Sequence, residues 1–435
     1  IRRPPRSTPS NSSAASDVYK RQLLNYIIES VTTAYPFLTP FTWENPSIRK
    51  VAAHLRRHRT SSPQTLASYC YWLHRFMEFV KMEPEQFISQ CFIKEGGINT
   101  KFIQWIRAVL DEYQGELLAC GYAPLTIHRA VTPIKTWLQV NGIDIGKIVK
   151  PRSYVKYPGR APKPEELQKM IEVADLRGKA MISILALSGI RIGTLVKLKY
   201  KHVKDDLEAG RIPVCIHVPA ELTKGKYADY FTFIGEEAVN YLKLYLEYRR
   251  RGSPSGKIPP EKITDESPLI RDHRTPRHLT TKGARKAIQD IMVKAGLRCK
   301  DGSRMHDLRP HSLRKYFKTQ LTAAGVPVEY VEFMMGHKIS TYLDVKMKGV
   351  EFLRRLYAAS GISIRPKTKV SKVEMLKEIV RSLGYDPEKI LVKEALQEPH
   401  RTTISEEEVE GALRKMIQQA IKDMVKSEKN NATSE

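Results

Sequence analysis

The sequence predicts a multidomain, mainly helical protein: an all-α N-terminal domain, then a larger, mainly α, mixed α/β domain with a small β-sheet. Three observations carry that prediction. Apolar residues recur at helical spacing through residues 62–138, the mark of helices that bury one stripe. Within 213–233, apolar and polar residues alternate on both sides of Thr-Lys-Gly-Lys, a hairpin signal. Between these regions, 147–163 (KIVKPRSYVKYPGRAPK) combines Pro, Gly and basic residues without a helical period, a linker composition. A chain of 435 residues has room for two or three such domains, each with its own core.

Taken in order, residues 1–22 (IRRPPRSTPSNSSAASDVYKRQ) lack apolar periodicity and read as a non-native or disordered leader. The helical N-terminal domain is expected over 23–146. It opens on an apolar patch and a basic run from Arg49 to Arg59. Ser62-Pro63 then supplies an N-cap and a proline at the first helical position. Leu66, Tyr69, Leu73, Phe76, Met77 and Val80 form the first stripe. Phe102, Ile106, Leu110, Leu117 and Leu118 form a second over 99–119, and Ile127, Val131, Ile134, Trp137 and Leu138 a third from Pro124.

The second domain is expected over 164–365. Pro164-Glu165-Glu166 places acidic residues in a first helical turn. A helix over roughly 177–188 ends at Ser188-Gly189, the hairpin follows, and 251–285 is loop-rich. Leu313, Phe317 and Leu321 mark a helix that closes at Ala323-Ala324-Gly325. A shorter helix through Val331, Phe333 and Met334 leads into Gly336-His337. Residues 366–435 form a C-terminal helical extension. There Val409, Leu413, Met416, Ala420 and Met424 make a stripe that either meets a partner or folds back on its own domain.

Lys and Arg number 73 against 47 Asp and Glu, a formal net charge of +26. Such an excess favours a polyanionic partner, because neutralised phosphates release counterions. The rival, a membrane protein, is disfavoured because no stretch approaches the roughly 18 continuous apolar residues of a spanning helix. The five cysteines are scattered with no Cys-x-x-Cys, which argues against a disulfide framework or zinc cluster and for a reduced compartment. The sequence shows neither a P-loop nor a carboxylate cluster.

The chemistry concentrates in two stretches. His311-x-x-Arg314 sits at the start of a helix, three residues apart and so on one face, and twenty-six residues separate His311 from the Gly336-His337 pair. Upstream stands Ser188-Gly-Ile-Arg191-Ile-Gly-Thr-Leu195. Together these motifs resemble the tyrosine recombinase (phage integrase) family, of the kind carried by archaeal and bacterial mobile elements. The resemblance covers 62–360. His306-Asp-Leu-Arg309 also fits His-x-x-Arg, but the spacing to Gly-His selects His311 and Arg314. Thr194 stands where that family has Glu.

The resemblance implies a SAM-like helical core-binding domain followed by a tyrosine-recombinase catalytic domain. It implies catalytic roles for Arg191, His311, Arg314 and His337, and for Lys224 at the hairpin turn, with Lys226 as runner-up. The nucleophile is then Tyr342, five residues after His337, with Tyr357 as the alternative. His128, Arg129 and Lys135 are candidate DNA contacts whose other reading is ordinary surface charge. Arg152, Lys156 and Arg160 are the candidates along the linker. The implied activity is metal- and ATP-independent cutting and rejoining of double-stranded DNA through a 3′-phosphotyrosyl intermediate, by a homo-oligomer (dimer to tetramer) in the cytoplasm at the nucleoid. A type IB topoisomerase-like relaxer and a non-catalytic architectural DNA binder are the alternatives.

Overall fold

The computed structural model describes residues 10–59, 62–93, 96–155, 158–223, 228–253, 259–273, 275–298, 306–338 and 345–365, with 376–377, 379–381, 384–389, 391 and 408–420 of the C-terminal extension. The chain divides into two compact units, 1–156 and 157–435.

The first unit is all helix: α1 (Ser10–Ile27), α2 (Leu38–Glu44), α3 (Pro46–His54), α4 (Pro63–Val80), α5 (Pro84–Gln90), α6 (Thr100–Ala119) and α7 (Pro124–Val140). Wider π-helical turns cover Ile28–Thr32 and Leu55–Arg59. The three stripes expected from spacing form α4, α6 and α7, and their residues line one core around Trp137, Phe76, Phe87 and Tyr113. Leu118 is the exception: it is 45% exposed, one helical step off the buried face. Part of the expected leader is helical. Residues 10–22 continue into α1, whose Leu23, Tyr26 and Ile27 are buried in the core.

The second unit packs α8 (Pro164–Val173), α9 (Leu176–Ser188), α10 (Ile192–Leu195), α11 (Lys204–Glu208), α12 (Glu236–Arg251), α13 (Thr281–Lys294), α14 (Ser312–Ala323), α15 (Val328–Met334) and α16 (Gly349–Ala359) around one hairpin. Its strands β1 (Val214–Val218) and β2 (Tyr230–Ile234) are antiparallel, with Ile216 opposite Thr232. The alternation of β1 matches a half-covered strand, whereas every residue of β2 is buried. The apolar run around Met181 becomes α9, buried from Gly178 through Ser188 except Lys179. Helices α12 and α14 lie against it.

The loop-rich 251–285 stretch is partly core. Leu269 and Ile270 are fully buried, and Glu261 joins the guanidinium groups of Arg249 and Arg271 at 2.7 Å each. In the C-terminal extension Leu413 and Ala420 are buried and Val409 and Met416 half-buried, so this chain itself covers the stripe; Met424 lies outside the described residues. Among the described residues no helix is long and apolar enough to cross a membrane.

Candidate active site

The site is built where two helices end and a third begins. Helix α9 stops at Gly189, which takes a left-handed conformation (φ +64°) that glycine adopts without steric cost. A Cβ there would come within 2.3 Å of the Phe317 ring, so only glycine lets α9 and α14 pack. The chain then runs extended through Arg191 into α10.

Helix α15 ends on Gly336 (φ +64°). His337 N–H reaches back to the Glu332 carbonyl at 3.0 Å and Gly336 N–H to that of Phe333 at 2.8 Å. This is the Schellman arrangement, and it leaves the carbonyls of Met335 and Gly336 without helical partners. The Tyr230 ring lies against Gly336, where a Cβ would come within 2.4 Å.

Both arginines turn to those carbonyls. Arg314, in the first turn of α14 and only 3% exposed, donates to Gly189 O and, at 2.6 Å, to Met335 O. Its Nη2 also lies 2.7 Å from His337 Nε2. Arg191, half-buried, donates to Gly336 O at 3.1 Å and to Met335 O at 3.5 Å. A buried cation at a helix N-terminus is unfavourably placed, and the negative ends of α9 and α15 offset this. Burial, reinforced by the neighbouring charge of Arg191, lowers the Arg314 pKa to about 10. Two guanidinium groups on one carbonyl make a small anion the natural occupant of this place, since planar forks suit phosphate oxygens.

His311 occupies the position just before α14 and makes no side-chain capping bond there. Burial first, then the charges of Arg314, Lys315 and Arg191 and its neighbour His337, hold its pKa below the ordinary imidazole value. It is therefore neutral near pH 7 and able to accept a proton. His337 Nδ1 bonds to Glu332 Oε2, and Glu332 Oε1 accepts from Lys318 Nζ at 2.5 Å. Thr194, in the place where Glu was expected, is buried and lies 3.4 Å from the Leu222 carbonyl, at the foot of the hairpin turn. His306 and Arg309 form a local turn, with Arg309 Nε donating to the His306 carbonyl at 2.8 Å.

Of the sequence-predicted residues, then, Arg191, Arg314 and His337 meet, with His311 beside them. Lys224, Lys226 and Tyr342 lie outside the described residues. Tyr357 lies in α16 and is 2% exposed. Its hydroxyl donates to the Leu187 carbonyl at 2.8 Å and accepts from Gly235 N–H at 3.1 Å, and burial pushes its pKa up. With both hydroxyl functions engaged in the core, Tyr357 is a packing residue in this conformation rather than an available nucleophile. The residues that sequence reasoning passed over are Glu332, Lys318 and Tyr230. Glu332 carried a readable signal, since it stands five residues before His337 at a glycine-closed helix end.

The other candidate contacts are mixed. Arg129 and Arg152 are exposed. His128 Nε2 lies 2.8 Å from the Pro151 carbonyl, and Lys135 donates to Gly146 O at 3.0 Å. Arg160 is held by Glu166 and Asp307, each at 2.6 Å. Lys156 lies outside the described residues. Both half-buried groups of α7 thus fasten the chain after that helix.

A sequence model of the Phage integrase family matches residues 163–345. Tyrosine recombinase XerC of Leptospira interrogans is 26% identical over 333 residues, which is 74% of this chain and 96% of that protein. XerC of Thermodesulfovibrio yellowstonii is 25% identical over 313 residues, 67% of this chain and 90% of its own length. Among solved structures, the Tn1549 transposon integrase in complex with circular intermediate DNA aligns over 68% of this chain and 93% of its own, with 17% identity and a TM-score of 0.43.

Proposed function

The chain belongs to the phage integrase family, the tyrosine recombinases, and we propose that it recombines DNA at specific sites with Arg191, Arg314, His311 and His337 arranged around one phosphodiester. The observation that supports this reading is the meeting of Arg191 and Arg314 on the Met335–Gly336 turn, which bears His337. A scissile phosphate would displace those carbonyls and take both forks. Preorganised charge of this kind often dominates the rate, one lost donor costing about 2.7–4 kcal/mol.

In this reading the Tyr342 hydroxyl attacks phosphorus and its proton passes to neutral His311. The bond to the 5′ oxygen breaks, and Lys224 supplies the proton that oxygen needs. His337 holds a non-bridging oxygen. The 3′-phosphotyrosyl ester stores the bond energy, and a 5′ hydroxyl from another strand reverses the step. Double-stranded DNA is the partner, and strand exchange requires a dimer to tetramer on two duplexes at the nucleoid. Arg129, Arg152 and the basic linker would follow the backbone, while Arg160, tied to two carboxylates, holds the linker.

The test offers the full chain a pool of nicked duplexes of randomised sequence, in which cleavage releases a short fragment and traps the ester. A detergent-stable protein–DNA complex is expected. Arg191→Ala and Arg314→Ala each reduce it by about 10²–10³-fold. Full complex formation by the doubly substituted chain would overturn the assignment. Transfer of the trapped strand to a second duplex marks a recombinase; relaxation of supercoils without transfer marks a strand relaxer.

A further inference from the structure

Helices α14 and α15 close in the same way, and the difference between them is informative. At α14, Gly325 is left-handed (φ +87°), with Val326 N–H on the Leu321 carbonyl at 3.0 Å and Gly325 N–H on that of Thr322 at 3.1 Å. This motif brings the side chain two residues past the helix cap next to one in its last turn, and an apolar contact is the usual result. Leu321 and Val326, both buried, provide it. At α15 the equivalent pair is Glu332 and His337, which hydrogen-bond instead. A carboxylate–imidazole pair replaces the apolar contact beside the phosphate site.

That pair fixes the imidazole. A carboxylate only accepts and a guanidinium only donates. Burial opposes ionisation of Glu332, but the bonds from Lys318 and His337 prevail and hold its carboxyl below the ordinary range. With Glu332 at Nδ1 and Arg314 Nη2 at 2.7 Å from Nε2, the hydrogen must sit on Nδ1 and the lone pair on Nε2. The neutral form with hydrogen on Nε2 would set a second lone pair against the carboxylate. A phosphate oxygen at Nε2 needs a donor.

We propose that Glu332 is a positioning residue for His337: it keeps a proton on Nδ1, so His337 can grip a phosphodiester only by taking up a second proton from solvent. The inference rests on the recombinase reading, in which His337 holds a phosphate oxygen. Around His337, Glu332 on its own helix and Arg314 in α14 bond the ring and His311 just before α14 is near enough to feel its charge, while Lys318 bonds the other Glu332 oxygen, Arg191 bonds the Gly336 carbonyl and Tyr230 lies against Gly336. Glu332 alone among them accepts from Nδ1. The sign follows from the tautomer: the grip needs the second proton, so phosphate binding weakens as pH rises.

The experiment uses full-length protein and the nicked duplex recovered from the randomised pool, following single-turnover complex formation across about pH 5 to 8, where imidazoles titrate. For the wild-type chain the rate falls on the alkaline side with a one-proton slope. Glu332→Gln, whose amide can donate to Nδ1, flattens that limb and lowers the maximal rate by about ten-fold, the scale of a lost charge-assisted bond. Glu332→Asp recovers part of the slope, and Lys318→Met, which leaves the Glu332–His337 bond in place, keeps it. In a His337→Asn background, Glu332→Gln has no further effect, the non-additivity expected of residues acting through one another. An unchanged alkaline limb in Glu332→Gln, or its full effect persisting in His337→Asn, overturns the inference. Should Glu332→Gln melt early, retention of the slope by Glu332→Asp and Lys318→Met and its loss in His337→Asn still decide the matter, and a slope surviving in His337→Asn counts against it. A wild-type chain that forms no complex at any pH contradicts the recombinase reading itself, a separate failure.

Discussion

Arg314 is a cation almost wholly removed from water, and its hydrogen-bond partners are two backbone carbonyls and an imidazole. Burying such a charge costs several kcal/mol unless its surroundings compensate. Here the compensation comes from helix C-termini. Those partners can yield to a phosphate in a way that a covering carboxylate would not. His311 beside it is depressed by burial and by the neighbouring cations, and this gives an acid limb of known sign. In the proposed reaction the neutral imidazole accepts the tyrosine proton, so activity should be present above the depressed pKa and be lost as pH falls through it, below the ordinary imidazole value of about 6.5. His311→Gln should react slowly and show no such limb in single-turnover complex formation. An acid limb unchanged in that variant would remove His311 from the base role.

At the scale of elements, the site depends on how α9 and α14 fit. Gly189→Ala forces a left-handed alanine, costing about 1–2 kcal/mol, and sets its Cβ 2.3 Å from the Phe317 ring. The same residue's carbonyl is an Arg314 acceptor. Denaturant unfolding should therefore show a loss of at least that size, accompanied by a fall in covalent complex formation; a variant of wild-type stability would contradict the packing account. Much of this was legible in the chain. The stripes of α4, α6, α7 and α14 repeat at helical spacing because one face of each is buried. The endings at Gly189, Gly325 and Gly336 were readable because glycine is the residue those backbones demand. What escaped was α1, whose first half is polar; β2 was legible through the hairpin, although every one of its residues is buried where alternation implied one open face. Glu332 escaped because its signal, a place five residues before His337 at a glycine-closed helix end, belongs to none of the motifs that carried the resemblance. Tyr357, offered by sequence as a second nucleophile, is explained by its two core hydrogen bonds, which no spacing rule reveals.

Across the whole molecule, the excess of basic residues and the two-unit organisation agree with a protein that handles a polyanion. The linker divides at 156. Its first part bonds back to the helical unit through Gln114 on Val149 O and His128 on Pro151 O. Its second part bonds to the second unit through Arg160 and through Lys315 on Gly159 O. In the proposed reaction a phenol takes over a phosphate that two arginines and two histidines surround. Digestion of the covalent protein–DNA complex, followed by identification of the peptide that carries the nucleotide, tests it most directly. The nucleotide should be found on Tyr342, and Tyr342→Phe should abolish the complex. Attachment to Tyr357 or to any other residue, or undiminished complex in Tyr342→Phe, would contradict it.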